Sequence, residues 1–420
     1  MSVYQLPMGF TRPFSDLTSE EKGFFDYFSK IDTSCIDKAF DESPSFGPKG
    51  FGICLILARI LKIKERISSD RELATKLSKN DSYRFVTGFL GNRSPAHNTF
   101  HTLRERLGVN GFVNIHCNFV LKANELGILN PEIMGLPSNR RKGIVLIADS
   151  TFLITSGSTK GIKTDEGLWI FNDRSAAFGR PHHKHKYPVG HKVHSLMTIN
   201  GIPLVSIVDS ANGYDQDYII PLLELLYERF SKLTFAYIIL DKGYDAEDIH
   251  EEIYEYFEII PIIIRKKTSY PKGFDKYGFP LCPYGFSTRR KGIEYRHRRT
   301  KYACFKSCED AKELLLFNCK HLEPSHKYGY MTYTYFKDSY RKFGPASPES
   351  SIYKKLKKYR TGIERYYGLV KENRYRMESS NSYKGIDNIT IHVIEHDIVL
   401  TQDIIYDFLT TGNKSPVVKL

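Results

Sequence analysis

Two short apolar runs, each stopping at an aspartate, constrain this chain more than any other feature. GIVLIADS (143–150) places continuous apolar residues at 144–148 and then Asp149, while FAYIIL (235–240) is followed at once by Asp241. Such runs are too short for a membrane span, and their lack of alternation fits strands buried on both faces. Between them, KVHSLMTINGIPLVSIVDS (192–210) reads as two β-rich segments joined at Asn200-Gly201, a type I′ hairpin signal. Ile219, Leu222, Leu223, Leu226 and Phe230 then space a helix over 216–230. A further helix over 245–257 leads to the strand IIPIII (259–264). The order strand, hairpin, helix, strand, helix, strand predicts an α/β fold, a mixed sheet with helices packed on it. Open sheets of this kind place their sites at the carboxyl ends of strands, where both aspartates stand.

The first 140 residues carry helical signals instead. GFGICLILARILKI (50–63) has apolar residues at helical spacing, and Ser69 with Glu72 forms a capping-box signature for the next helix. In SPAHNTFHTLRERLG (94–108), Ser94 and Pro95 mark a start and Gly108 a stop. Phe100, Leu103 and Leu107 share an inward face there, and His97, Asn98, His101 and Arg104 point elsewhere. Two readings of that polar face stand: a groove-reading helix with Arg104 on DNA, or an ordinary solvated face. The organisation that follows is a helical region at 1–140, a sheet core at 141–264, an insertion at 265–350 and the rest of the core at 351–420.

A chain of 420 residues has room for two or three domains, and 41% hydrophobic with 26% charged residues excludes wholesale disorder. No apolar run reaches the roughly 18–20 residues of a span. The first residues lack the charged head and apolar stretch of a secretory signal, so a reducing, cytoplasmic setting is expected for the seven cysteines. The net charge of +13 leans toward a polyanionic partner. Much of it is local: 265–301 holds 12 Lys and Arg against two acids, with Arg289, Arg290 and Lys291 as candidate DNA contacts. A solvated loop is the competing reading of that charge. Cys282, Cys304, Cys308 and Cys319 share the insertion with His297, His321 and His326. Only Cys304-x3-Cys308 has zinc-like spacing, so free thiols are preferred to structural Zn²⁺. HHKHK (182–186) reads as phosphate-facing surface, and Trp169, the single tryptophan, as core.

KKYRTGIERYYGLVKENRYR (357–376) brings a third acid. On a regular α-helix, Arg360, Glu364 and Lys371 fall within about 40° of one another, beside an apolar stripe of Ile363, Tyr366 and Val370. A surface salt-bridge ladder would look the same. With two strand-end aspartates upstream, however, three carboxylates match the needs of two-metal phosphoryl transfer. Hard Mg²⁺ ions take oxygen ligands, and two of them about 4 Å apart serve both oxygens of an in-line displacement. Arg360 and Lys371 would then face phosphates, one as a planar fork and one as a point charge.

In this order, IADST (147–151), ILDKGYDA (239–246) and RTGIERYYGLVK (360–371) resemble the DDE transposases of bacterial and archaeal insertion sequences, which are built on an RNase H-like core. Arg360, Glu364 and Lys371 keep the spacing of the family's Tyr-x2-Arg-x3-Glu-x6-Lys signature, with Lys357 in the Tyr position. GHKVHSL (190–196) and SANGYDQD (210–217) are similar to the segment between the first two acids. ELATKLSKNDSYRFVTG (72–88), with the helix after Ser94, is similar to the helical DNA-binding domain that often precedes this core. The resemblance implies metal-dependent strand cleavage and strand transfer at terminal inverted repeats. Asp149, Asp241 and Glu364 would hold two Mg²⁺ (or Mn²⁺) ions. Arg360 and Lys371, and more weakly Lys192 and His194, would contact double-stranded DNA of the element ends and target. A homodimer holding both ends, nucleoid-associated in a prokaryotic cytoplasm, is also implied. Two alternatives stay open: a nuclease of the same fold that cuts without joining, and a degenerate or domesticated protein that only binds DNA.

Overall fold

The structure, a computed structural model, describes residues 17–41, 49–89, 94–129, 143–179, 188–266, 269–304 and 329–412. Its described helices are α1 (Ser19–Ser29), α2 (Ser34–Asp41), α3 (Lys49–Lys64), α4 (Asp70–Lys79), α5 (Asp81–Val86), α6 (His97–Glu125), α7 (Ile219–Arg229), α8 (Glu247–Glu255), α9 (Tyr340–Phe343), α10 (Ser351–Leu356), α11 (Thr361–Gly368) and α12 (Ile386–Thr411). The strands are β1 (Ile144–Ile154), β2 (Ile162–Lys163), β3 (Trp169–Ile170), β4 (Ala177–Phe178), β5 (Val189–Thr198), β6 (Pro203–Ser210), β7 (Phe235–Leu240), β8 (Ile260–Ile263), β9 (Arg289–Glu294), β10 (Arg299–Ala303) and β11 (Met331–Tyr335). This is the expected α/β class, with a mixed sheet flanked by helices and a helical N-terminal region. The chain forms two compact units, one of residues 1–140, 147–234 and 361–420, the other of 141–146 and 235–360. They cut across the four segments expected from the sequence, because 235–264 stands with the insertion.

In the first unit, α1 opens with a full capping box between Thr18 and Glu21. The one anticipated at α4 is half made: Glu72 N donates to Ser69 Oγ at 3.1 Å, but the Glu72 carboxylate accepts from Ser68. Helix α6 starts after Ala96 rather than Ser94, and Gly108 kinks it instead of ending it, at φ +59° and ψ −174°. Only glycine takes that conformation cheaply. Strands run in the order β4-β5-β1, with β6 antiparallel on β5 and Lys192 opposite Asp209. The β5–β6 hairpin forms as expected, but its turn is not type I′. Gly201 alone is left-handed, at φ +91°, while the Asn200 amide donates to Ile128 O at 2.6 Å.

Helix α12 packs on α6 and β6, and residues 391–405 are all buried. Its buried acids each meet partners. Arg59 donates to both Glu395 oxygens at 2.7 and 2.6 Å, and Arg104 Nη1 lies 3.3 Å from Oε2. Asp397 accepts from Tyr366 OH at 2.6 Å and Ser206 Oγ at 2.9 Å, and Asp403 from Tyr375 OH at 2.6 Å and Lys64 Nζ at 2.9 Å.

In the second unit, residues 144–146 open strand β1, and the strand order is β1-β7-β8. β7 and β8 are parallel, with Tyr237 beside Ile260, and α8 makes the crossover between them. All of β7 and β8 is buried, as their uninterrupted apolar runs require. The insertion contributes an antiparallel sheet, β11-β10-β9.

Asp397 gives the first unit a pH dependence. Burial pushes its carboxyl up to about 7, against hydrogen bonds from Tyr366 and Ser206 that oppose the rise. The folded chain therefore keeps a proton that the unfolded chain has released, and stability falls as pH climbs from about 4 to 7. Asp397→Asn removes this loss. Thermal melts should show the melting temperature of the variant gaining on the wild type by several degrees between pH 5 and pH 8; a difference that stays constant with pH would contradict the assignment.

Candidate functional site

In the second unit Asp241 stands at the carboxyl end of β7, half-buried, just before a 3₁₀ turn, Lys242–Tyr244. Arg360 ends the 3₁₀ turn Lys357–Arg360 and brings its Nε within 3.4 Å of Asp241 Oδ1. Asp245, four residues on, is fully buried. It accepts from Lys266 N at 2.7 Å and Arg341 Nη2 at 2.8 Å, with His250 Nε2 at 3.1 Å. Burial works to raise its pKa, but the bonds from His250, Arg341 and Lys266 win and hold it well below the usual carboxylate range. This buried anion fixes the loop that carries Asp241. In the insertion Arg289 and Lys291 are exposed on β9, whereas Arg290 is half-buried and donates to Pro345 O at 3.3 Å. The Arg299 guanidinium lies 3.9 Å from the centre of the Tyr333 ring.

In the first unit Asp149 lies half-buried inside β1, which runs on to Ile154 instead of ending at the aspartate as the apolar run predicts, and its Oδ1 accepts from Ser150 N at 2.8 Å. Glu364 is exposed on α11. Tyr367, on the same helix, donates its hydroxyl to the Asp149 carbonyl at 2.7 Å. Lys371 Nζ donates to Phe152 O at 2.6 Å and lies 3.5 Å from Glu378, whose other oxygen accepts from Ile154 N at 3.3 Å. Lys371 is thus a strut from the segment after α11 to strand β1. The expected single helix face of Arg360, Glu364 and Lys371 does not exist. The chain passes from a 3₁₀ turn through α11 into a π-turn, Leu369–Asn373, so residues per turn change twice and the constant angular step fails.

Three expected DNA contacts are corrected or altered by burial. Arg104 has 1% of its side chain exposed, lies 3.7 Å over the Tyr383 ring, and pairs with Glu395 and the Asn388 carbonyl. It belongs to the core, because α12 covers the face the sequence left open. His194 is also buried, stacked on Tyr218 at 3.8 Å, and burial pushes its pKa down to about 4, leaving it neutral with no face for a phosphate. Lys192 keeps some exposure but donates to Asp215 Oδ1 at 2.7 Å and Gly213 O at 3.3 Å.

Asp215, which sequence reasoning passed over inside SANGYDQD, gathers this network, since the same oxygen accepts from Ser150 Oγ at 2.6 Å. Burial raises its pKa, but the bonds from Lys192 and Ser150 outweigh that and leave it below the ordinary value. Strand alternation turns Ser150, and with it Lys192 and His194, away from the side that Asp149 faces. Trp169 is not core either: 48% exposed on β3, it meets Phe178 edge-on.

Oxygen-only donors such as Asp149, Asp241 and Glu364 suit a hard divalent ion by chemistry. Among the described residues, however, no group of three or more His, Cys, Asp or Glu is placed to hold a metal. Cys282 and Cys304 are half-buried, and Cys304 Sγ accepts from Tyr330 N at 3.0 Å. Cys308, Cys319 and the HHKHK cluster lie outside the described residues. No helix among the described residues is long and apolar enough to cross a membrane.

Residues 140–394 match the family model of the transposase DDE domain. No curated protein matches the chain. Among solved structures, a piggyBac transposase synaptic complex with hairpin DNA, determined by cryo-EM, is similar at 13% identity and a TM-score of 0.30, over 91% of this chain and 75% of that one.

The corrected role of Arg104 is open to measurement. Arg104→Met should cost about 3 kcal/mol in urea unfolding, since it strips a partner from a buried carboxylate. The salt dependence of DNA binding by the folded variant should not change, because no phosphate contact is lost. Wild-type stability with a shallower salt slope would return Arg104 to the DNA surface.

Proposed function

The chain belongs to the DDE transposase family, and on that premise we propose that it cleaves DNA at the terminal inverted repeats of an insertion sequence and joins the freed ends to target DNA. One observation carries the reading: the family match spans 140–394 and so takes in all three carboxylates, Asp149 on β1, Asp241 after β7 and Glu364 on α11. Asp241 after β7 and Glu364 on an exposed helix face stand where an α/β fold can present acids to a substrate as bulky as DNA, and Asp149 lies half-buried within β1.

In this proposal Asp149, Asp241 and Glu364 hold two Mg²⁺ or Mn²⁺ ions. When bound, such ions activate the attacking oxygen and relieve charge on the leaving oxygen of an in-line displacement. The protein's own part is positional. Arg360, whose guanidinium already reaches the Asp241 carboxylate, is set to fork onto a backbone phosphate beside that acid. Arg289 and Lys291 on β9 supply charge that tracks the duplex without reading its sequence. Water first attacks the phosphodiester at the element end and releases a 3′-hydroxyl. That hydroxyl then attacks a phosphodiester of the target or of the opposite strand, forming one ester bond as another breaks. Because two ends must be handled together, a homodimer on DNA is part of the proposal.

The test pairs wild type with Glu364→Gln on DNA carrying the element's terminal repeat, a target plasmid and Mg²⁺. Wild type should produce joined products, and the variant should lose cleavage and joining by about 10²–10³-fold. Cleavage without joining would favour a nuclease, binding alone would favour a non-catalytic protein, and full activity in Glu364→Gln would refute the assignment of that acid.

A further inference from the structure

Helix α11 buries one side and exposes the other. Gly362, Ile363, Tyr366 and Tyr367 are buried, while Glu364 and Arg365 are exposed. At 100° per residue the buried side chains cover an arc of about 140°, and Tyr367 sits at the edge nearest Glu364, about 60° from it. Its hydroxyl donates to the backbone carbonyl of Asp149 at 2.7 Å and lies 3.5 Å from the carbonyl of Val193. A single side chain, three residues from one proposed metal-binding acid, therefore ends on the main chain of another. Its neighbour Tyr366 points elsewhere, donating to Asp397 on α12 at 2.6 Å. The Lys371 ammonium makes a second contact to the same strand, at Phe152 O, 2.6 Å away.

From this geometry we infer that Tyr367 is a positioning residue, which fixes the separation of Glu364 and Asp149 and so sets the affinity of the site for divalent ions. The inference rests on the proposed metal-binding role of those two acids. Metal ligation tolerates errors of only about 0.5 Å, and side chains that orient ligands typically govern metal affinity 10- to 100-fold. A hydroxyl bonded to the strand beside Asp149 is rigid in the required direction, because both its ring and its acceptor are held in packed structure. Tyr367→Phe removes the hydroxyl and keeps the ring.

The experiment titrates Mn²⁺ into full-length protein without DNA and follows free Mn²⁺ by electron paramagnetic resonance. Wild type, Glu364→Gln, Tyr367→Phe and Tyr366→Phe are compared. Both tyrosine variants remove a hydroxyl from the same helical turn, Tyr367's from the Asp149 and Val193 carbonyls and Tyr366's from the buried Asp397 carboxylate, so an effect that only follows loosening of the helix would appear in both. Tyr367→Phe is expected to weaken Mn²⁺ binding about tenfold, and Tyr366→Phe less than twofold. Equal shifts in both variants, or none in Tyr367→Phe, overturn the inference. Mn²⁺ binding that is insensitive to Glu364→Gln removes the metal reading beneath it, and the inference with it. A second readout uses cleavage: Tyr367→Phe should raise the Mg²⁺ needed for half-maximal rate while leaving KM for DNA within twofold.

Discussion

A carboxylate in the middle of a helix governs how the first unit is put together. Glu395 is 3% exposed on α12 and would be prohibitively costly there alone, since effective desolvation penalties run to several kcal/mol per ion. Arg59 from α3 grips both of its oxygens, and Arg104 from α6 closes on one. Asp70 and Tyr383 then take up the remaining Arg59 donors, and Lys62 joins Asp70 at 2.8 Å. Three cations against two acids leave the cluster with a net positive charge, and the carboxylates are correspondingly held in their charged form. Apolar packing is tolerant of small slides. A bidentate arginine on a buried glutamate is not, so the N-terminal helices and α12 meet in one register.

That dependence passes down α12 to the elements that carry Ser206, Tyr366 and Tyr375. Two residues beyond Glu395, Asp397 binds Ser206 on β6 and Tyr366 on α11. Six residues further, Asp403 binds Tyr375, Lys64 and Arg374. Each acid therefore fixes a different neighbour: the N-terminal helices, then the strand hairpin and the Glu364 helix, then the segment after it. The polar residues of α12 are what a helix buried all round needs in order to have one position.

The sequence showed the strands well and this network not at all. FAYIIL is a strand over its whole length because burial on both faces leaves no room for a polar residue, and the run ends where the burial ends. The hairpin was legible from its flanking runs, while its turn type was not, because the Asn200 amide is spent on Ile128, far away in the sequence. Arg104 was ambiguous for a physical reason. A polar stripe on a helix looks the same whether water or a second polar helix covers it, and nothing in the spacing of the α12 acids marks them as buried. The site was legible to a similar degree. Asp241 stands at the end of β7 as its apolar run predicts, but Asp149 lies inside β1, because pairing and burial carry that strand on to Ile154, and a regular helix does not hold across 357–373, where the structure changes pitch twice. Asp215 and Tyr367 escaped notice because their roles lie in the atoms they touch, a serine hydroxyl and a backbone carbonyl, and neither leaves a spacing pattern.

The consecutive tyrosines of α11 show why the break in pitch matters. Adjacent helical residues point about 100° apart, so Tyr366 and Tyr367 reach two different supports, α12 and β1. A helix held from two directions is restrained from rolling about its own axis. A regular continuation would have carried Lys371 further around the axis. The π-turn gives it a different direction, and its ammonium lands on Phe152 of the strand that Tyr367 already holds. The lysine that spacing assigned to a phosphate thus has its charge committed to the protein, beside Glu378. The short α11 then owes its placement to polar anchors on either side of it, and its exposed face carries Glu364 and Arg365.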